Sequence, residues 1–401
     1  MIYNFATYLG ARILVSIASS MLSVAIGWHL FTYSGNPFDL ALVGLLQITP
    51  MILLFIVSGL VVDHFPRKVI LVICALLEAV VYIGLGFSMN DGELNRPMIF
   101  SLIFLHGAVR AFYAPASDAI LIHLVPGEFL SRAVALTSSI WTTAQTLGPL
   151  AAGLLLAWLE YDLYWILSVI ALTGSILFMI LPPIKVDKPS GRGMKQLLGG
   201  IAYVKNNPIV LPSISLDLFI VLCGSVMVLL PVYAVEVLHV DEKMLGLMRS
   251  MPALGGVVMG ILIAKMPPMR NAGKLLFIAL GIFSCSILVF AWSTTLWISL
   301  IALWIYGASD MISVNIRSSL IQLATPDHLR GRVSAVNMLF IGISNEMGDF
   351  RGGAVAAVIG PVLTVLTGAV LAFAVTAGGY MLFPGLRKLD KLTDAKVNDT
   401  T

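Results

Sequence analysis

The stretch GLVVDHFPRK, residues 59–68, ends one long apolar run and is followed at once by another. An apolar run of about twenty residues has the length of a membrane-spanning helix. Between the two runs stand one acid, Asp63, and two adjacent bases, Arg67 and Lys68. The stretch therefore predicts a short, charged turn that connects two membrane spans.

The composition extends this prediction to the whole chain. Of the 401 residues, 59% are hydrophobic and 11% are charged, whereas about 25% of a typical soluble domain is charged. Backbone polar groups in lipid must pair within the protein, and long runs without alternation favour helices over a barrel. We expect an all-α membrane protein whose twelve spans cover residues 6–33, 39–62, 68–88, 97–122, 133–158, 162–181, 209–237, 243–264, 273–292, 295–322, 333–358 and 361–384.

Orientation and domain organisation follow from the loops. With the N-terminus inside, nearly all loop bases are cytoplasmic, and only Arg96 and Lys243 lie outside. This bias predicts a multi-pass protein of the cytoplasmic (inner) membrane with both termini in the cytoplasm. The predicted domains are an N-terminal six-helix bundle at 1–185, a cytoplasmic linker with an amphipathic helix at 186–208, and a C-terminal bundle with a short tail at 209–401.

The two halves also repeat each other in sequence. The motif Gly44-Leu45-x4-Pro50 recurs as Gly246-Leu247-x4-Pro252. Further residues recur 200 positions later, namely Gly107, Pro126, Arg132, Ala135, Gly148 and Gly153 as Gly307, Pro326, Arg332, Ala335, Gly348 and Gly353. Such a repeat predicts two pseudo-symmetric bundles, and transporters built from repeats hold their substrate between the repeated parts.

Several classes of function are disfavoured. The three cysteines lie inside apolar runs, which is typical of buried thiols, and the six histidines lack metal-ligand spacing. No phosphate-binding Gly-x4-Gly-Lys-Ser/Thr loop is present. We therefore expect no metal, no cofactor, no nucleic-acid partner and no enzymatic activity. The expected partners are a small-molecule substrate, protons and the lipid bilayer, and the expected oligomeric state is a monomer.

The spacing Gly-x3-Asp-x3-Arg-Lys, which starts at Gly59, resembles the loop between helices two and three of the major facilitator superfamily. His64 and Pro66 depart from the usual Arg and Gly of that loop. The runs at 114–133, 147–153 and 329–333 resemble the branch that holds enterobactin exporters and macrolide-efflux proteins.

The resemblance implies a twelve-helix transporter with alternating access. It further implies export of a small siderophore-like or drug-like molecule, by proton antiport. A proton-coupled nutrient importer stays open as an alternative. A non-transporting membrane receptor or scaffold is the alternative from a different class, against which the lack of a sizeable soluble domain argues.

Polar side chains within spans are costly and are candidates for substrate contact. Arg110 and His106 lie one turn apart near the middle of span four, and Trp141 and Gln145 lie one turn apart on span five. Arg317 is a further buried base. The alternatives are that Arg110 pairs with a buried acid to orient the bundle and that Trp141 and Gln145 are core residues.

Buried acids are the candidate proton carriers. Glu346 and Asp349 lie about mid-membrane on one face of span eleven, at roughly 1.5 Å of rise per residue, and Asp217 and Asp310 are their rivals. A static ion-pair network that includes Arg317 or Arg351 is the alternative. Glu78, in a span that the resemblance makes peripheral, is expected in a structural pair.

Gating is expected at the turn of residues 59–68 and its counterparts. We expect Arg67 to bridge to Asp118, and Gly148-Pro149 to kink helix five because proline removes an internal hydrogen bond. Arg67 and Lys68 also serve as topology-determining bases, which is the simpler interpretation. The full predicted set is Gly59, Asp63, Arg67, Lys68, Asp118, Gly148, Pro149, Arg330 and Arg332.

Overall fold

The structure is a computed structural model that describes residues 2–89, 95–182, 201–266, 270–326 and 329–390. The expected all-α membrane architecture with twelve long helices is confirmed in this part of the chain. The helices are α1 (Ile2–Ser34), α2 (Pro37–His64), α3 (Arg67–Met89), α4 (Arg96–Leu124), α5 (Leu130–Leu159), α6 (Leu163–Ile180), α7 (Val210–Gly224), α8 (Glu242–Lys265), α9 (Ala272–Trp292), α10 (Leu296–Leu323), α11 (Arg330–Ile359) and α12 (Pro361–Leu382).

By length and composition, ten stretches of the described residues are able to cross a membrane. One of them, Arg132–Ile180, contains both α5 and α6. Helix α11 is not among the ten, and it carries Glu346, Asp349 and Arg351 within its 30 residues. Charged groups within a span are functional candidates because their burial in lipid is costly.

Helix α7 ends earlier than the sequence predicts. The expected span at 209–237 is interrupted after Gly224, where Ser225 adopts an extended conformation. The chain continues as a 3₁₀ turn at Met227–Leu229, one α-turn at Leu230–Val232 and a π-helical turn at Tyr233–Val237. An interrupted helix leaves carbonyl groups without intrahelical partners, so the break needs donors from elsewhere.

The contacts divide the chain into two units. Residues 1–35, 42–193 and 240–250 form the first unit, and residues 36–41, 194–239 and 251–401 form the second. In the first unit α3 packs on α4 and α6, and α1 packs on α5 and α6. In the second, α9 packs on α10 and α12, and α7 packs on α11 and α12. Each pairing recurs six helices later, so the sequence repeat is also a structural repeat.

The predicted linker at 186–208 lies mostly outside the described residues. Of its final part, residues 201–206 are helical, and the Tyr203 hydroxyl donates to the carbonyl of Ala324. This contact belongs to the second unit and ties the end of the linker to the turn after α10.

Candidate functional site

In the first unit, the candidate substrate residues lie on α4 and α5. Arg110 donates through Nη1 to Gln47 Oε1 of α2 at 2.8 Å. Gln145 accepts a hydrogen bond from Ser20 of α1 at 3.3 Å, whereas the Trp141 side chain is exposed. Gln47 thus holds one donor of the Arg110 guanidinium, and that amide was not among the residues predicted from the sequence.

His106 lies one turn before Arg110 but contacts a different helix. Its Nδ1 lies 2.8 Å from Oε2 of Glu78 on α3, and both residues are 3% exposed. The structural pair expected for Glu78 is therefore present, and its partner is a residue that we had considered only as a substrate contact. Spacing along α4 placed His106 near Arg110 but did not reveal which neighbouring helix its ring faces.

In the second unit, a base and two acids come together between α7 and α10. Arg317 is 4% exposed and donates through Nη1 to the carboxylate of Asp217. Asp310, two turns before Arg317 on α10, is partly buried and interacts electrostatically with both partners. Arg317 therefore contacts Asp217 directly, whereas Asp310 interacts with this pair electrostatically.

The break after α7 is held by two residues of α11. Arg351 donates through Nε to the carbonyl of Leu222 at 2.8 Å and through Nη2 to the carbonyl of Cys223 at 2.5 Å. Ser225 donates to the carboxylate of Asp349 at 2.5 Å. Asp349 and Arg351 thus bind polar groups at the break, a role that the sequence did not predict. The pair Gly224-Ser225, in the middle of an apolar run, is the signal that points to it.

The candidate gating residues of the first unit have other partners than expected. Arg67 Nη1 lies 2.5 Å from His123 Nε2, and Lys68 donates to the carbonyl of Leu181. Asp118 instead pairs with Arg12 at 3.4 Å. The expected bridge between Arg67 and Asp118 is therefore wrong, because the two side chains are directed toward different neighbours.

The remaining candidates differ in how tightly they are packed. A Cβ on Gly148 would lie 2.7 Å from the Cβ of Ser20, so α5 and α1 approach closely there. A Cβ on Gly59 would meet nothing within 4 Å. Arg330 donates to the carbonyl of Gln322 at 3.1 Å. Among the described residues, the side chains of Asp63 and Arg332 form no hydrogen bond.

The described residues contain no group of three or more histidine, cysteine, aspartate or glutamate side chains that is able to bind a metal ion.

Comparison with known families decides what the fold is. The sequence model of the Major Facilitator Superfamily matches residues 8–348. The chain belongs to the major facilitator superfamily. It is accordingly a multi-pass membrane transport protein for a small molecule, and the resemblance to this superfamily is confirmed.

Relatives within the superfamily include exporters. The chain is 24% identical over 389 residues to the enterobactin exporter EntS of Citrobacter koseri, an alignment that covers 93% of this chain and 89% of that protein. It is 23% identical to EntS of Escherichia coli O81, over 90% of this chain and 86% of that protein. An uncharacterised transporter of Bacillus subtilis, YhjO, is 24% identical over 86% of this chain and 84% of its own length.

Solved structures agree on the fold. A bacterial homologue of the human lysosomal transporter Spinster matches with a TM-score of 0.77 and 13% identity, over 99% of this chain and 98% of that one. The nucleoside transporter NupG matches with a TM-score of 0.75 and 13% identity, over 96% of this chain and 99% of that one. At such identities these matches support the superfamily fold and carry no information about the substrate.

Proposed function

We propose that this protein exports a small siderophore-like or drug-like organic molecule across the cytoplasmic membrane, by proton antiport with alternating access. The observation that carries the proposal is the similarity to enterobactin exporters over about nine-tenths of the chain, with 93% of it covered in one alignment. We place both termini in the cytoplasm because the loop bases are concentrated on that side. The protein works as a monomer, without a cofactor or catalytic activity.

The substrate contact is assigned to α4 and α5. A guanidinium presents a planar fork of donors that suits anionic and catecholate oxygens. Arg110 offers such a fork, with one donor oriented by Gln47 at 2.8 Å. The exposed ring of Trp141 supplies a stacking face for an aromatic substrate. We assign His106 and Gln145 to the same site, as hydrogen-bonding groups.

We assign binding of the transported proton to Asp310. An ionisable side chain within a span is a functional candidate, and Asp310 interacts electrostatically with both members of the buried Arg317–Asp217 pair. This order differs from the one expected from sequence, in which Glu346 and Asp349 came first. Asp349 accepts a hydrogen bond at the break of α7, which supports a structural role for it.

Alternating access is assigned to rocking of the two halves, 1–185 and 209–401, joined by the linker at 186–208. Superfamily transporters of repeated design move one repeat against the other around a fixed site. The proposed moving points are Gly148-Pro149 in α5, where proline removes an internal hydrogen bond, and the charged turn at residues 59–68.

Inverted membrane vesicles test the proposal. Vesicles that contain the protein are given an acidic interior and metal-free enterobactin outside. We expect uptake that exceeds the uptake by vesicles without the protein and that stops when a protonophore is added. Uptake that is equal in both vesicle preparations would contradict export of this class of substrate. Uptake that is unaffected by the protonophore would contradict proton coupling.

A further inference from the structure

A buried acid–base pair lies between α3 and α4, outside the proton site proposed above. Glu78 and His106 are each 3% exposed and lie near the middle of their helices, with Oε2 and Nδ1 2.8 Å apart. Two ionisable side chains in the core of a span are costly and persist when they are paired or functional.

The hydrogen bond defines what each ring nitrogen of His106 is able to do. A carboxylate accepts from Nδ1–H, and the hydrogen bond at one nitrogen determines which tautomer the imidazole adopts. Within the described residues Nε2 of His106 forms no hydrogen bond. With Nδ1 engaged by Glu78, Nε2 is left either with a lone pair that accepts a hydrogen bond or with a second proton that makes the ring cationic.

We propose that Nε2 of His106 binds either a proton or a hydroxyl group of the substrate, and that Glu78 positions the ring for both. A catechol hydroxyl donates to Nε2 only when that nitrogen is unprotonated, so substrate and proton exclude each other at one atom. When the substrate binds, the proton on Nε2 leaves to water; when the substrate departs, a proton returns. Antiport requires that binding of the substrate and binding of the proton exclude each other in this way.

Two charged residues lie close to the ring of His106. Glu78 contacts Nδ1, and Arg110 lies one turn further along α4. Tyr82 is fully buried and interacts electrostatically with both Glu78 and Arg110, so it lies within range of both charges.

Other ionisable groups on the neighbouring helices are few. The remaining ones on α3 and α4 nearest to the pair are Cys74 and Tyr113, and Cys74 interacts electrostatically with Glu78. Helix α6, which also packs on α3, carries Tyr164 in its first turn, and α5 carries Arg132 in its first turn. The ionisable groups of α2 stand at its ends and are Asp39, Asp63 and His64.

The inference rests on the proposed function for its substrate, so the first experiment uses metal-free enterobactin as the probe. Purified protein in lipid nanodiscs is mixed with the probe in weak buffer, and a pH-sensitive dye reports protons released per bound molecule. We expect His106→Gln to release fewer protons than the wild type, by roughly one per bound probe. Glu78→Gln should reduce the release as well.

A matched control is His29→Gln, in the same unit. His29 is also buried, at 6% exposure, and its Nδ1 lies 3.1 Å from the hydroxyl of Tyr164. Its removal should leave the proton release unchanged. Release by His106→Gln that equals the wild-type release would overturn the inference while leaving the proposed antiport intact. If the wild type binds the probe and releases no proton, antiport and this inference both fail.

A second measurement needs neither a substrate nor a stable variant at Glu78. Nitrogen-15 resonances of labelled histidines in the wild-type protein report which ring nitrogen carries a proton. We expect Nδ1 of His106 to be protonated, because Glu78 accepts a hydrogen bond from it. A His106 ring whose Nδ1 carries no proton would overturn the inference.

Discussion

Gly307 of α10 lies directly against the carbonyl group of Pro252 in α8, and a Cβ atom on this glycine would overlap that carbonyl. Gly107 of α4 has the same relationship to α2, where its nearest neighbours are Gln47 and Pro50. The two crossings are counterparts in the sequence repeat. Small residues at such points let helix backbones approach closely, which is a main source of helix association in membranes.

The crossing of α10 and α8 is tested by Gly307→Ala. Because the added methyl group has no space, we expect destabilisation of about 1–3 kcal/mol, the usual cost of overpacking. Thermal unfolding of the purified protein measures it. Gly378→Ala in α12 is the control, since a Cβ there would meet nothing within 4 Å. Equal unfolding temperatures for the two variants would contradict the close contact.

The break after α7 is tested by Arg351→Lys. A lysine keeps the charge but not the planar fork that donates to both Leu222 and Cys223. We expect a loss of stability of about 1–3 kcal/mol, the cost of an unsatisfied buried polar group. Arg270→Lys, at an exposed position, should unfold like the wild type. If Arg351→Lys unfolds at the same temperature as the wild type, the two hydrogen bonds of the guanidinium do not stabilise the break after α7.

The sequence predicted the helices and the repeat because both depend on composition and spacing. Apolar runs of sufficient length must be helical in lipid, and Gly107 and Pro50 recur in the second half as Gly307 and Pro252. The break of α7 was not predicted, since the run at 209–237 is predominantly apolar and long enough for one span. Only the pair Gly224-Ser225 marks the position at which the backbone leaves the helix.

The partners of the polar residues were less predictable than their positions. Spacing along one helix shows which residues share a face, but it does not show which neighbouring helix that face meets. His106 therefore turned out to pair with Glu78, and Arg67 with His123 rather than with Asp118. The buried charges themselves were visible in the sequence, because each interrupts an apolar run.

The role of Arg110 in substrate binding is tested by Arg110→Lys. If the guanidinium forms two hydrogen bonds to a planar anionic or catecholate group, even this conservative substitution should weaken enterobactin binding. The loss of one charge-assisted hydrogen bond should lower the affinity by about tenfold or more. Calorimetry with the purified protein measures the affinity. Full affinity in the lysine variant would show that the residue serves only as a charge.

The proton carrier is tested by Asp310→Asn. A carrier should lose transport driven by a proton gradient and keep exchange of enterobactin at equal pH, because the neutral amide no longer loads a proton. Glu346→Gln and Asp349→Asn are the comparison variants, since they remove the acids on α11. Gradient-driven transport that persists in Asp310→Asn but is lost in either comparison variant would move the assignment to α11.

Proton antiport requires that an organic substrate leaves the cell as protons enter it. Proteoliposomes that contain the purified protein and a trapped pH-sensitive dye test this exchange, with enterobactin added outside and no initial pH difference. As enterobactin enters the vesicles, we expect protons to leave them, so that the interior becomes alkaline. Acidification of the interior during enterobactin uptake, or uptake without any proton movement, would contradict proton antiport.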